Sequence, residues 1–190
     1  KNLLELKNAK NVLIDNNVFE NNWGDAQTGW AILFTVRNQD NTAPWSVVKD
    51  VTFSNNIVRH VGSGVIISGI DSPNVSLRTT NININNNLFY DIDGVEWDAE
   101  GFWLEIISGP LNVHIDHNTI DHFGNDLIQF DGAAGSGFIY TNNISKHNLY
   151  GVIGGGVGVG IPALNFYVPG YEFRKNVLAG GSAGDTWIKA

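Results

Sequence analysis

The stretch NININNNLF, residues 81–89, decides the fold, because its pattern occurs six times along the chain. The other copies are NVLIDNNVF (11–19), DVTFSNNIV (50–58), NVHIDHNTI (112–120), GFIYTNNIS (137–145) and GYEFRKNVL (170–178). The seventh position is asparagine every time: Asn17, Asn56, Asn87, Asn118, Asn143 and Asn176. Apolar residues alternate before it, as in Val12/Ile14, Val51/Phe53, Ile82/Ile84, Val113/Ile115, Phe138/Tyr140 and Tyr171/Phe173. A period of two is that of a strand with one buried face, so each copy reads as strand, corner, strand. Asparagine suits the corner, since it tolerates left-handed backbone and its amide can bond its own kind one rung away. Six stacked corners predict an asparagine ladder.

Successive ladder asparagines are 39, 31, 31, 25 and 33 residues apart, so one loop per turn varies while the core is kept. A third strand follows each variable loop: WAILFTV from Trp30, VIIS from Val65, FWLEIIS from Phe102, LIQFD from Leu127 and VIGGG from Val152. Three parallel strands per turn predict an all-β fold, a right-handed parallel β-helix of three sheets and about six rungs. Each rung adds about 4.8 Å. A single rung cannot bury its own apolar face, so stability must come from stacking and the ends need caps. No amphipathic capping helix is legible at Lys1 and no clear closure at Ala190.

Composition agrees with one folded domain over residues 1–190: 43% of residues are hydrophobic and 16% charged. Nineteen acidic residues against 11 basic ones give a net charge of -8, and the basic residues are scattered. Phosphate binding needs a concentrated basic surface, so no nucleic-acid partner is expected. No apolar run approaches the roughly 18 to 20 residues that span a bilayer, and the N-terminus lacks a signal-peptide pattern, so no membrane partner is expected. The absence of methionine, even at position 1, predicts a fragment of a longer solenoid or a processed chain, with end-to-end contact to missing rungs or another chain. The absence of cysteine removes disulfides, thiol catalysis and cysteine-based zinc sites.

The three-strand rung with its asparagine corner resembles the right-handed parallel β-helix superfamily of pectate lyases, polygalacturonases and alginate lyases or epimerases. The stretches LKNAKNVLIDNNVFENNW (6–23), AILFTVRNQDNTAPWSVV (31–48), VTFSNNIVRHVGSGV (51–65) and YGVIGGGVGVG (150–160) are similar to secreted bacterial β-helix-repeat proteins of unassigned activity. The chain departs from the characterised enzymes of the superfamily. It has no RxPxxR stretch, and Asn125-Asp126 is its nearest approach to a polygalacturonase aspartate pair. The resemblance implies an extracellular or periplasmic protein whose polysaccharide groove lies along the sheet that follows the variable loops, with those loops as walls.

On that sheet FWLEIIS and LIQFD fall on adjacent rungs. If Leu104, Ile106, Ile128 and Phe130 point inward, alternation sends Trp103, Glu105, Gln129 and Asp131 outward. Glu105 and Asp131 are then one rung apart and two residues along, a separation of roughly 8 Å. The acid and base of an inverting glycosidase stand about 6.5 to 9.5 Å apart, so the pair is the candidate catalytic couple; the plain alternative is two solvated carboxylates. Trp103 and Gln129 are candidate substrate contacts. Arg37 is the candidate for an acidic sugar, or else holds a neighbouring loop. Trp97 either stacks on a sugar or folds back on the rod. The loop DIDGVEWDAEG clusters Asp93, Glu96, Asp98 and Glu100 as candidate calcium ligands, or as a solvated acidic loop. His114 and Asp116 are expected to project together from another face, and GGGVGVG (154–160) to make a tight turn. The expected function is polysaccharide binding, with lyase or glycoside hydrolase activity; the alternative is a non-catalytic structural or adhesive β-helix.

Overall fold

The computed structural model describes residues 2–25 and 28–180. Six rungs follow one another. They comprise β1 (Leu4–Leu6), β2 (Ala9–Asp15) and β3 (Val18–Asn22); β4 (Ile32–Thr35), β5 (Val48–Ser54) and β6 (Ile57–Val61); and β7 (Val65–Ser68), β8 (Thr80–Asn85) and β9 (Leu88–Ile92). Then come β10 (Leu104–Ile107), β11 (Leu111–Asp116) and β12 (Thr119–His122); β13 (Asp126–Asp131), β14 (Ile139–Thr141) and β15 (Ile144–Lys146); and β16 (Gly151–Gly154), β17 (Gly158–Val159), helix α1 (Ile161–Tyr167), β18 (Glu172–Arg174) and β19 (Val177–Ala179). Each strand pairs with its counterpart one rung away. The first sheet runs β1-β4-β7-β10-β13-β16-β17, the second β18-β14-β11-β8-β5-β2, and the third β19-β15-β12-β9-β6-β3. All rung-to-rung pairs are parallel, and only β16 with β17 is antiparallel. The chain is therefore a three-sheet parallel β-helix.

The predicted inward residues stack in register. In the second sheet Ile14, Phe53, Ile84, Ile115, Tyr140 and Phe173 form one file, and in the first Ile32, Val65, Leu104, Ile128 and Val152 form another. Phe53, Ile84, Ile115, Val65, Leu104 and Ile128 are completely buried. Aromatic rings link the rungs through the core, from Phe53 to Phe89 (6.3 Å), Trp103 (5.5 Å), Tyr140 (6.0 Å) and Phe173 (4.7 Å). No rung could bury this surface alone, which is the physical reason the repeat must stack.

The asparagine ladder exists. The backbone N–H of each ladder asparagine donates to the side-chain Oδ1 of the next: Asn17 to Asn56 (2.9 Å), Asn56 to Asn87 (2.8 Å), Asn87 to Asn118 (3.0 Å), Asn118 to Asn143 (2.8 Å) and Asn143 to Asn176 (2.9 Å). Its backbone conformation differs from the expectation in one respect. The left-handed residue is the one before the ladder position: Asn16, Asn55, Asn86, His117, Asn142 and Lys175, with φ between 54° and 63°. Turning the chain there lets the following amide point inward, where Asn56, Asn87, Asn118 and Asn143 are buried. A second left-handed file sits where each repeat begins, at Asn11, Asp50, Asn81, Asn112, Gly137 and Gly170.

One covering element does not stand out in the sequence pattern. Helix α1 covers the last rung of the first sheet, burying Ala163, Leu164 and Tyr167, and the Tyr167 ring stacks on Phe130 at 5.9 Å. Seven residues with Pro162 in the first turn give too short a helical pattern to stand out. The glycine run makes the tight β16–β17 hairpin, with Gly156 at φ 70° and Gly158 at φ 122°. Among the described residues, no helix is long and apolar enough to cross a membrane.

Candidate functional site

Along the first sheet the outward side chains line up in two files. One is Glu5, Leu33, Ile66, Glu105, Gln129 and Ile153; beside it run Thr35, Ser68, Ile107 and Asp131. Both follow from the period of a strand and in-register stacking. Glu105 pairs with Gln129 and Ile107 with Asp131, so Glu105 and Asp131 lie on the same face, one strand across and two residues along. With strands about 4.8 Å apart and a rise of about 3.3 Å per residue, that offset is roughly 8 Å.

The two carboxylates have different surroundings. Glu105 is half-buried between Ile66 on the neighbouring strand and Ile107 two residues along its own. Burial pushes its carboxyl up from an ordinary 4.5 to about 7, and the negative charges of Asp131 and then Glu100 add to the effect. Asp131 is exposed, and its Oδ1 accepts the Gly132 N–H at 2.7 Å. Backbone also crowds this carboxylate from the last rung, where a Cβ on Gly155 would lie 2.8 Å from the same oxygen. A half-buried, high-pKa carboxyl thus shares a face with an exposed one, two different environments on one sheet.

Toward the N-terminal rungs the same face deepens into a cleft of about 400 Å³, floored by Leu33, Thr35, Ser68 and Ile107. Arg37 lines it, as the sequence predicts, and donates to Asp71 Oδ1 at 2.8 Å. Asp71 is buried, and its other oxygen accepts the Asn38 N–H at 2.8 Å. Further bonds from Asn38 Nδ2 to the Val75 carbonyl (2.7 Å) and from Asn74 Nδ2 to the Asn38 carbonyl (2.9 Å) fasten two variable loops into one wall. Lys7, also lining the cleft, pairs with Glu5 at 3.0 Å.

The aromatic assignments change. Trp103 is completely buried and packs edge-on against Phe89 and Tyr140, so it is no groove platform. Strand β10 begins only at Leu104; Trp103 lies on the turn before it, where strict alternation does not hold, and both residues point inward. The aromatic at the cleft is Trp30, half-buried, whose ring lies 6.4 Å from that of Phe102 two rungs on. Its position at the head of WAILFTV was the available signal. Trp97 takes the second of its expected courses: it folds back beside His60 of the third sheet, with ring centroids 6.0 Å apart.

The acidic loop does not form a cation cage. Among the described residues, no three acidic or histidine side chains converge as a metal ion requires. The loop winds through consecutive turns, and Asp93 Oδ1 accepts the N–H of Val95 (2.8 Å) and of Glu96 (3.1 Å). Glu96, Asp98 and Glu100 are left exposed to water, so the calcium assignment of these four residues is not met. Glu100 instead contributes its charge to Glu105. On the second sheet His114 projects outward as predicted, while Asp116 is engaged by Thr141 (2.6 Å) and Asn142 (2.7 Å).

Fold and site define the class as a three-sheet parallel β-helix with an open groove on its first sheet. Compared with known proteins, the chain matches no protein family, no curated protein and no solved structure.

The state of Glu105 has a measurable consequence for stability. Its folded-state pKa lies above the unfolded value, so its contribution is fully present below about pH 4.5 and is lost as pH rises through about 7. Buried Asp126, pushed up to about 6 by burial, acts in the same direction. Glu105→Gln cannot ionise. Its melting temperature should match that of the wild type at pH 4 and exceed it at pH 8. Parallel melting curves across this range would show that Glu105 is not strained by ionising.

Proposed function

We propose that this protein binds an extended glycan along the outer face of its first sheet and hydrolyses it with inversion, Glu105 acting as general acid and Asp131 as general base. The observation that carries the reading is that a half-buried, high-pKa Glu105 and an exposed Asp131 share one face with their backbone positions roughly 8 Å apart, an offset that allows their carboxyls the spacing of about 6.5 to 9.5 Å that leaves room for a water. In the reaction Glu105 gives its proton to the glycosidic oxygen as the bond from that oxygen to the anomeric carbon breaks. Asp131 takes a proton from the water whose oxygen forms the new bond from the opposite face. Solvent then returns a proton to Glu105 and removes one from Asp131.

The groove supplies the binding. Trp30 offers a sugar-stacking face at the cleft and Gln129 a hydrogen-bonding amide beside Glu105. The resemblance to the pectate lyase-like superfamily supports the same face as the substrate path, and work on large polymers fits a secreted or periplasmic setting. A lyase reading is weaker, because it needs free cations or calcium to neutralise a uronate, and the cleft's Arg37 and Lys7 are each paired.

The test is a panel of neutral and uronic polysaccharides, read for new reducing ends and for unsaturated product. Reducing ends without unsaturation are expected, with binding weakened in Trp30→Ala. Unsaturated product would replace hydrolysis by elimination. No product from any polymer, with binding retained, would make the rod a non-catalytic glycan-binding or structural element.

A further inference from the structure

The groove's charges bear on which glycans it accepts. A polyuronate lays a carboxylate at nearly every sugar, so a groove for it must present unpaired cations along its length. The outward files of the first sheet contain no lysine or arginine between Glu5 and Ile153. Among the described residues, both cations lining the cleft are already matched, Lys7 to Glu5 at 3.0 Å and Arg37 to the buried Asp71 at 2.8 Å. Asp71 cannot release Arg37 cheaply, because a buried carboxylate stripped of its partner is strongly penalised.

The rest of the face is uncharged or negative. Leu33, Ile66 and Ile107 make the floor over the second to fourth rungs, and Glu105 and Asp131 follow on the fourth and fifth, just beyond the cleft. A second row of anions laid there would meet repulsion with little countercharge. Uncharged sugar rings have the opposite preference. Their C–H faces suit the aliphatic floor and the Trp30–Phe102 pair, and their hydroxyls suit Gln129, Thr35 and Ser68.

From this we infer that the groove selects a neutral polysaccharide and rejects polyuronates. The inference rests on the glycan-groove reading above and deepens it by fixing substrate charge. It runs against the acidic substrates that the superfamily resemblance would suggest.

The experiment uses the intact chain and matched polymers: several polyuronates, each beside the same polymer with its carboxylates reduced to primary alcohols, together with neutral glucans, mannans, xylans and galactans. Affinity electrophoresis and titration calorimetry read binding at low and at physiological salt. Neutral members are expected to bind at least tenfold more tightly than any polyuronate, and salt should raise polyuronate binding while leaving neutral binding unchanged. Glu5→Gln, which frees Lys7 at an accessible site, should narrow the gap by several-fold. A polyuronate bound as tightly as its reduced counterpart, or polyuronate binding that salt weakens, would overturn the charge inference while leaving the groove in place. If no polymer of either kind binds, the glycan-groove reading itself falls, and this inference with it.

Discussion

Asn87→Leu is expected to cost about 4 kcal/mol of unfolding free energy. Asn87 sits at the centre of the ladder. Its Oδ1 accepts the Asn56 backbone N–H (2.8 Å) and Asn56 Nδ2 (3.1 Å), and its own Nδ2 donates to the Phe53 carbonyl (3.0 Å) and to Asn118 Oδ1 (2.9 Å). Leucine fills similar space but leaves the Asn56 N–H without its acceptor and the Phe53 carbonyl without this donor, both away from water. Each unmet buried group costs about 1 to 3 kcal/mol. Asn17 at the first rung is exposed, so Asn17→Leu should cost about 1 kcal/mol or less. Urea midpoints of the two variants separate the cases. Equal shifts would mean that the ladder is decoration and that apolar stacking alone holds the rungs.

Glu105→Gln should lower turnover by about 10²- to 10⁴-fold, equivalent to roughly 3 to 5 kcal/mol of transition-state stabilisation, with glycan affinity retained. Glutamine keeps the shape and can still hydrogen-bond a sugar, but it has no proton to give the leaving oxygen. Asp131→Asn should cause a comparable loss, because the attacking water then lacks a base. Since the two groups serve one step, the double variant should be little worse than either single one. Full turnover in Glu105→Gln would remove this residue from the reaction, and loss of binding along with turnover would make its role one of holding the sugar.

The solenoid was legible because its signal is repeated six times: a weak period-two alternation at 81–89 becomes decisive when the same offsets recur at 11, 50, 112, 137 and 170. The facing of Glu105, Gln129 and Asp131 was legible for the same reason, since they lie inside strands whose inward partners are unambiguous. Errors fell where the strand ends. Alternation places Trp103 outside only if it extends one residue before Leu104, and there the chain is in a turn that obeys other rules. The acidic loop between the ninth and tenth strands has no repeat to constrain it, and composition alone could not show that Asp93 spends its carboxylate on its own backbone. Pairing between loops was equally out of reach. Arg37 and Asp71 are 34 residues apart, and only the stacked rungs bring them within 2.8 Å.

The most direct measurement follows the first anomer released from a neutral polysaccharide by proton NMR, in the minutes before mutarotation. The account predicts cleavage whose initial product has the anomeric configuration opposite to that of the bond broken, and no such signal with Glu105→Gln. Product of retained configuration, an unsaturated end, or unchanged cleavage by Glu105→Gln would contradict it.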